Sequence, residues 1–239
     1  MYLKNHLLHW QNLFGVETNW RVRAQHWRRR LSRADERLRD DYFQTVAEPK
    51  LQIGGGWHRL EGWLNADLDL IPGVMLMDAT KEFPFASESV QFVYSEHMIE
   101  HISFEQGALM LKECYRVLRK GGVIRVTTPD LAALVSLYQP ELSDLQRRYL
   151  SWFCETFVPN QGPPEAVAAL NAHFRLWGHQ FLYDEETLTR ALHTAGFHSV
   201  QRQRLRASEH PALRDLENTA RYPEGLLEYE SVALEARKA

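Results

Sequence analysis

The sequence predicts an α/β fold, a doubly wound and mostly parallel sheet. Three stretches between Leu51 and Asp130 carry that expectation, each an apolar strand that ends in a loop signal. They read Leu51-Gln52-Ile53-Gly54-Gly55-Gly56, Trp63-Leu64-Asn65-Ala66-Asp67 and Val74-Met75-Leu76-Met77-Asp78-Ala79. A glycine loop and two carboxylates at successive strand ends suit a nucleoside ligand lying across the carboxyl edge of parallel strands, where open α/β sheets bind ligands.

The bulk numbers set the frame. A chain of 239 residues with 44% hydrophobic and 25% charged residues has room for one large domain, or for a domain with an added segment. A net charge of −3 argues against global attraction to nucleic acid or anionic membrane. No apolar run approaches the roughly 20 residues that span a bilayer. The start, Met1-Tyr2-Leu3-Lys4-Asn5-His6, has no signal-peptide pattern. With Cys114 and Cys154 the only cysteines, a reducing, cytoplasmic setting is expected.

Residues 1–48 read as a helical segment. Trp20, Ala24, Trp27, Leu31, Ala34 and Leu38 recur at steps of four and three, giving one amphipathic helix from Trp20 to Tyr42. Eight arginines between Arg21 and Arg39 share its surface, diluted by Asp35, Glu36, Asp40 and Asp41. The stripe is expected to pack its tryptophans on the domain or, as a homodimer, on a second subunit. A nucleic-acid patch is the disfavoured alternative.

The main domain, 49–239, follows Pro49. Leu51–Ile53, Trp63–Ala66, Val74–Met77 and Val90–Tyr94 are the first four strands, with Pro72-Gly73 as a turn. Ser103-Phe104-Glu105-Gln106 is a capping box, and Phe104, Ala108, Leu111, Tyr115 and Leu118 form the helix face behind it. Gly121-Gly122 is read as the stop of that helix, and Val123–Thr127 as the fifth strand. A helical insert spans about 131–180. Asp184 caps a further helix that ends at Gly196, and Ser199–Leu205 with Glu228–Glu235 form a C-terminal antiparallel hairpin pair.

The motifs narrow the ligand. A dinucleotide fingerprint would place glycine at position 59, which is Arg59, and about six residues between Gly56 and Trp63 leave no room for its helix. Asp67 at a strand end can accept from both ribose hydroxyls, with Asp69 a neighbour able to share the role. Asp78 can accept from an adenine amino group while the amide of Ala79 donates to a ring nitrogen.

Taken together, Leu51 to Asp130 resembles the class I S-adenosylmethionine-dependent methyltransferases of the type 11 group, nearest to predicted members with a shortened first helix. The stretches that carry it are Leu51–Gly56, Gly62–Asp67, Phe83-Pro84-Phe85, Ser95-Glu96-His97-Met98-Ile99-Glu100-His101, Glu113–Pro129, and Trp177-Gly178-His179 through Phe197. The likeness covers roughly residues 50 to 200 and implies a Rossmann-like sheet with a C-terminal antiparallel strand. The family commonly has cysteine where this chain has Gly55; peptide amides rather than that side chain face the ligand, so the change should be tolerated. By resemblance Gly54 and Gly56 would meet the methionine part, Asp67 the ribose, and Asp78 with Ala79 the adenine, with Ile53, Gly55 and Leu68 also among the cofactor-binding residues. Ser95, Glu96 and His97 would line the floor near the sulfonium.

His97-Met98-Ile99-Glu100-His101 also fits the zinc-peptidase spelling H-x-x-E-H. A catalytic zinc takes a third protein ligand, and this segment directly follows a strand of the nucleotide-binding sheet. A packing role for His101 is therefore expected, and no metal. For methyl transfer to a hydroxyl the candidate bases are His97 and His179, with His173 beside them in the insert. The expected function is methylation of a small-molecule or sugar-containing acceptor. The alternatives are a methyltransferase-like scaffold without turnover, and an RNA methyltransferase guided by the arginine-rich helix.

Overall fold

In the computed structural model, which describes residues 20–160 and 162–239, the chain builds one seven-stranded sheet. Strand β1 is Lys50–Ile53, β2 Leu64–Asp67, β3 Met75–Leu76 and β4 Val90–Glu96. Strand β5 is Leu118–Pro129, β6 His198–Gln203 and β7 Ser231–Arg237. Their order is β3-β2-β1-β4-β5-β7-β6, parallel except for β7, which runs antiparallel to both neighbours. Strands β1, β2, β4 and β7 are buried along most of their length, as strands covered on both faces are.

Register aligns the loop signals. Ile53 pairs with Ala66 and with Ser95, and Asp67 pairs with Leu76. The glycine loop, Asp67 and the residues after Glu96 therefore leave the sheet at one edge. Between β1 and β2 there are turns only, so the shortened first helix expected from the sequence is absent altogether.

Helix α1 is Trp20–Leu31 and α2 is Ala34–Thr45, where one continuous helix was expected. The break falls at Arg33, whose φ is +50°. Leu38, Tyr42 and Phe43 of α2 pack on the core. Trp27 and Leu31 do not; both are about two-thirds exposed, at 68% and 69%, so of the two expected packings of the stripe they do not take the one on the domain. Arg29 turns inward instead, donating to Asp35 and to the Val74 carbonyl.

Helix α3, Phe104–Val117, starts with both halves of its capping box formed: Ser103 accepts from the Gln106 amide and Gln106 from the Ser103 amide. It ends differently from expectation. The chain passes from Val117 straight into β5 because Leu118 is buried and pairs with Val90. Gly121-Gly122 lies within β5, not at the helix end, and Gly121 (φ +74°) donates its amide to the Lys238 carbonyl.

The insert contains α4 (Leu131–Val135), α5 (Asp144–Phe157) and α6 (Ala166–Arg175), around a core of its own that includes Leu134, Tyr149, Phe153 and Ala169. Asp184 caps α7, Glu185–Ala195, which ends at Gly196 with φ +108°. Strands β6 and β7 do pair antiparallel, but residues 204–230, with α8 at Leu226–Glu230, separate them, so the expected hairpin is a long crossover. Helices α3 and α7 cover one sheet face through Met110, Leu111, Leu188 and Leu192, each fully buried. Trp63, Tyr94, Val123 and Leu213 form the core of the other.

Candidate active site

The carboxyl ends of β1, β2 and β4 converge on the glycine loop. Gly54 and Gly56 have φ of +70° and +53°, the left-handed region that glycine enters without strain. A Cβ on Gly54 would stand 2.1 Å from Cγ of Met98, so this glycine also makes room for the loop after β4. Gln52 braces the loop by donating to the His58 carbonyl at 2.9 Å.

Asp67 is buried at the end of β2. One oxygen accepts from the Gly56 amide at 2.8 Å, the other from the Asp69 amide at 2.9 Å. A carboxylate has about four lone-pair sites, so two acceptor positions remain for a vicinal diol. Leu68 beside it is 40% exposed. Asp78 is more crowded. It accepts from the Thr80 amide and hydroxyl and pairs with Lys81 at 2.8 Å. Burial pushes its carboxyl up, but Lys81 and Thr80 outweigh that and hold it below the usual value. Ala79 is half-buried against the main core.

At the end of β4, Ser95 is fully buried and its hydroxyl has no partner. Glu96 points toward the C-terminal segment and accepts from the Asn218 amide at 3.0 Å and from Arg221 at 3.1 Å. Burial raises its carboxyl, and His58 and Arg221 more than offset this, leaving it lowered. His97 takes a φ of +48°, and its amide donates to the Thr127 carbonyl. Its Nε2 lies 3.1 Å from Ser231 Oγ and its Nδ1 3.4 Å from Glu100 Oε1. Burial lowers this imidazole, and Glu100 raises it by more.

Asp67, Asp78 and Ser95–His97 fall within a stretch that matches a known family. Residues 63–126 match the family described as methyltransferase domain, type 11. Over that stretch the chain is similar to the type 11 methyltransferases. S-adenosylmethionine is the methyl donor of this family.

No curated protein matches the chain. Solved structures that resemble it include a SAM-dependent methyltransferase from Archaeoglobus fulgidus, 18% identical, covering 92% of this chain and 100% of that one, with a TM-score of 0.48. A Thermotoga maritima protein described as a possible histamine N-methyltransferase is also 18% identical, covering 92% and 97%, at 0.44. Phosphoethanolamine N-methyltransferase 2 of Haemonchus contortus, solved with S-adenosylmethionine, is 15% identical at 0.43, and the likeness covers 81% of this chain and 49% of that one.

The chain's own residues fit that donor on two observations. Asp67 keeps acceptor capacity at the ribose end, and the buried Ser95 hydroxyl is an orphan polar atom at the neighbouring strand end. His179, the other expected base, is turned elsewhere. Its Nδ1 lies 2.6 Å from the His173 carbonyl and its ring stands 4.8 Å from that of His101. Burial lowers its value to about 4. His173 is buried in the insert against Tyr149, and burial lowers it to about 3. Neither ring shares the Ser231 contact of His97.

Sequence reasoning missed the second wall of the site. Arg221, Tyr222, Glu230 and Ser231 come from the far end of the chain. Glu230 is buried and accepts from Tyr149 at 2.5 Å and from Tyr222 at 2.9 Å, with burial raising its carboxyl despite both donors. Only the tertiary fold brings these groups within reach of His97, and no spacing in the sequence signals it. A cavity of about 270 Å³, lined by Leu131, Phe174, His179, Phe181 and Thr187, opens between the insert and α7.

Proposed function

We propose that the protein transfers a methyl group from S-adenosylmethionine to a small-molecule acceptor bound beside the insert. Asp67 carries the reading: it is the buried, amide-anchored carboxylate at the β2 end and retains free lone pairs. When bound, the donor supplies an electrophilic methyl on a good leaving group, so the protein's contribution is placement and exclusion of water.

In this reading the Gly54–Gly56 loop and Ser95 receive the amino-acid part, Ile53 and Gly55 shape the loop, and Asp67 with Leu68 holds the ribose. Asp78 and Ala79 receive the adenine, Asp78 through the acceptor position that Thr80 and Lys81 leave on its carboxylate. Glu96 acts differently from the floor role expected of it, pinning the 218–221 segment over the site. His97 accepts the acceptor's proton at Nε2, where Ser231 Oγ now stands, while the Glu100 carboxylate, 3.4 Å from Nδ1, favours the imidazolium that forms. Arg29 is spent on Asp35 and the Val74 carbonyl, which weakens the case for an RNA-guiding helix.

Calorimetric titration with S-adenosylmethionine and its demethylated product tests the reading. Wild type should bind both, and Asp67→Ala should bind roughly ten- to a hundredfold more weakly, the loss expected for hydrogen bonds to a charged group. His97→Asn should keep donor affinity while turnover of an accepted substrate falls at least tenfold. Failure of wild type to bind either ligand would overturn the proposal.

A further inference from the structure

We propose that Glu100, His101 and His179 form a binding site for a first-row divalent cation, zinc fitting the donor set best. Each brings one ligand atom within 4.8 Å of the others, and they are the grouping of this kind among the described residues. The histidine-rich segment after β4 has no third ligand of its own; the fold supplies His179 from the end of the insert. The ligands differ from those of the H-x-x-E-H spelling, since His97 and His101 lie on a tight turn rather than on one helical face, and His179 takes the place of His97.

Both imidazoles are arranged as metal ligands are. His101 Nδ1 lies 2.8 Å from the Trp177 carbonyl and His179 Nδ1 2.6 Å from the His173 carbonyl. A carbonyl only accepts, so each Nδ1 carries the proton and, in the neutral ring, Nε2 carries the lone pair. That outer-sphere bond to a backbone carbonyl fixes tautomer and orientation in metal-binding histidines.

Glu100 points to a ligand independently. Its carboxylate is fully buried; Oε2 accepts from Thr128 Oγ1 at 3.0 Å, while Oε1 has no hydrogen-bond partner. His97 Nδ1 is 3.4 Å away, an ion-pair separation beyond hydrogen-bond range. A buried carboxylate oxygen left without a donor is costly, and a cation removes that cost. The backbone is already pinned: Gln180 donates its amide to the Glu100 carbonyl and its side chain to the His101 carbonyl, each at 2.8 Å.

Two histidines and one glutamate at about 2.0–2.2 Å from zinc would sit roughly 3.4 Å apart, so binding needs side-chain shifts on the order of 1 Å. His179 also lines the 270 Å³ cavity, which gives the ion a way in and a fourth position open to a small ligand. Imidazole and carboxylate donors suit zinc and rule against a hard-cation cage. The bound ion would tie the turn after β4 to the segment leaving the insert.

The test is independent of methyl transfer. Full-length protein stripped with a chelator is titrated with Zn²⁺ and, separately, with Co²⁺ followed by its visible absorption. Wild type should take up one equivalent and gain thermal stability, and His179→Ala and Glu100→Gln should each bind at least tenfold more weakly. His193→Ala, a histidine on α7 bonded to the Phe197 carbonyl, should bind like wild type. His179→Gln supplies the same comparison should the alanine variant unfold, as judged by circular dichroism. Folded wild type with no stoichiometric zinc, or a His179 variant that binds as wild type does, would overturn the proposal.

Discussion

Gly54 answers two demands at one position. Its φ of +70° lies where L-residues are strained, and Met98 fills the space a Cβ would take. Gly54→Ala is therefore expected to lower stability by about 1–3 kcal/mol from backbone strain alone, with a further loss from the clash. Adding Met98→Ala should return the second part and leave the first, a separation readable in urea unfolding of the single and double variants. The identity of Gly54 was plain in the sequence as a loop signal after an apolar strand. Its quarrel with Met98 was not, because that contact joins two loops whose approach depends on the pairing of β1 with β4. Asp67 was legible for the same local reason as the glycine. The partners of Glu96 and His97 were not, since Arg221 and Ser231 lie more than a hundred residues away.

Helix α3 shows what an element adds. Its N-terminus was readable because a capping box is local chemistry, and its C-terminus was misread because tertiary burial of Leu118 overrides a glycine stop signal. Likewise the α1–α2 break at Arg33 has no proline or glycine to announce it. Near its C-terminal end α3 grips the Phe83–Phe85 segment. Glu113 accepts from the Phe83 amide at 2.7 Å and from Arg116, which itself donates to the Phe83 and Phe85 carbonyls. Arg116 holds the Glu113 carboxyl below its usual value against the upward push of burial. A carboxyl lowered on folding contributes stability that is present above its unfolded value, about 4.3, and is lost as pH falls through the folded one. Wild type should accordingly exceed Glu113→Gln in melting temperature at pH 7, and the gap should narrow toward pH 3.

At the scale of the molecule, the last third of the chain is locked onto the sheet through a charge buried in its interior. Arg125 on β5, fully buried, donates to Glu217 and Glu235, each at 2.7 Å, and to the Ala207 and Arg204 carbonyls. Removing the cation alone leaves two carboxylates buried without it, so Arg125→Met should cost about 3–5 kcal/mol in denaturant unfolding. Replacing all three charges by apolar residues of similar size should recover most of that loss. Arg125 stood in the sequence as a lone charge in an apolar strand, and nothing nearby named its partners.

The position of β7 between β5 and β6 has a consequence for how this protein comes into being. A nascent chain that has already made β1 to β6 still shows an unpaired backbone edge along β5, for β6 has nothing to join until residues 231–237 arrive and slot between them. Open apolar edges of that kind recruit strands from other chains. The interval before β7 is delivered is thus when the newborn protein is most exposed to aggregation and most dependent on chaperones.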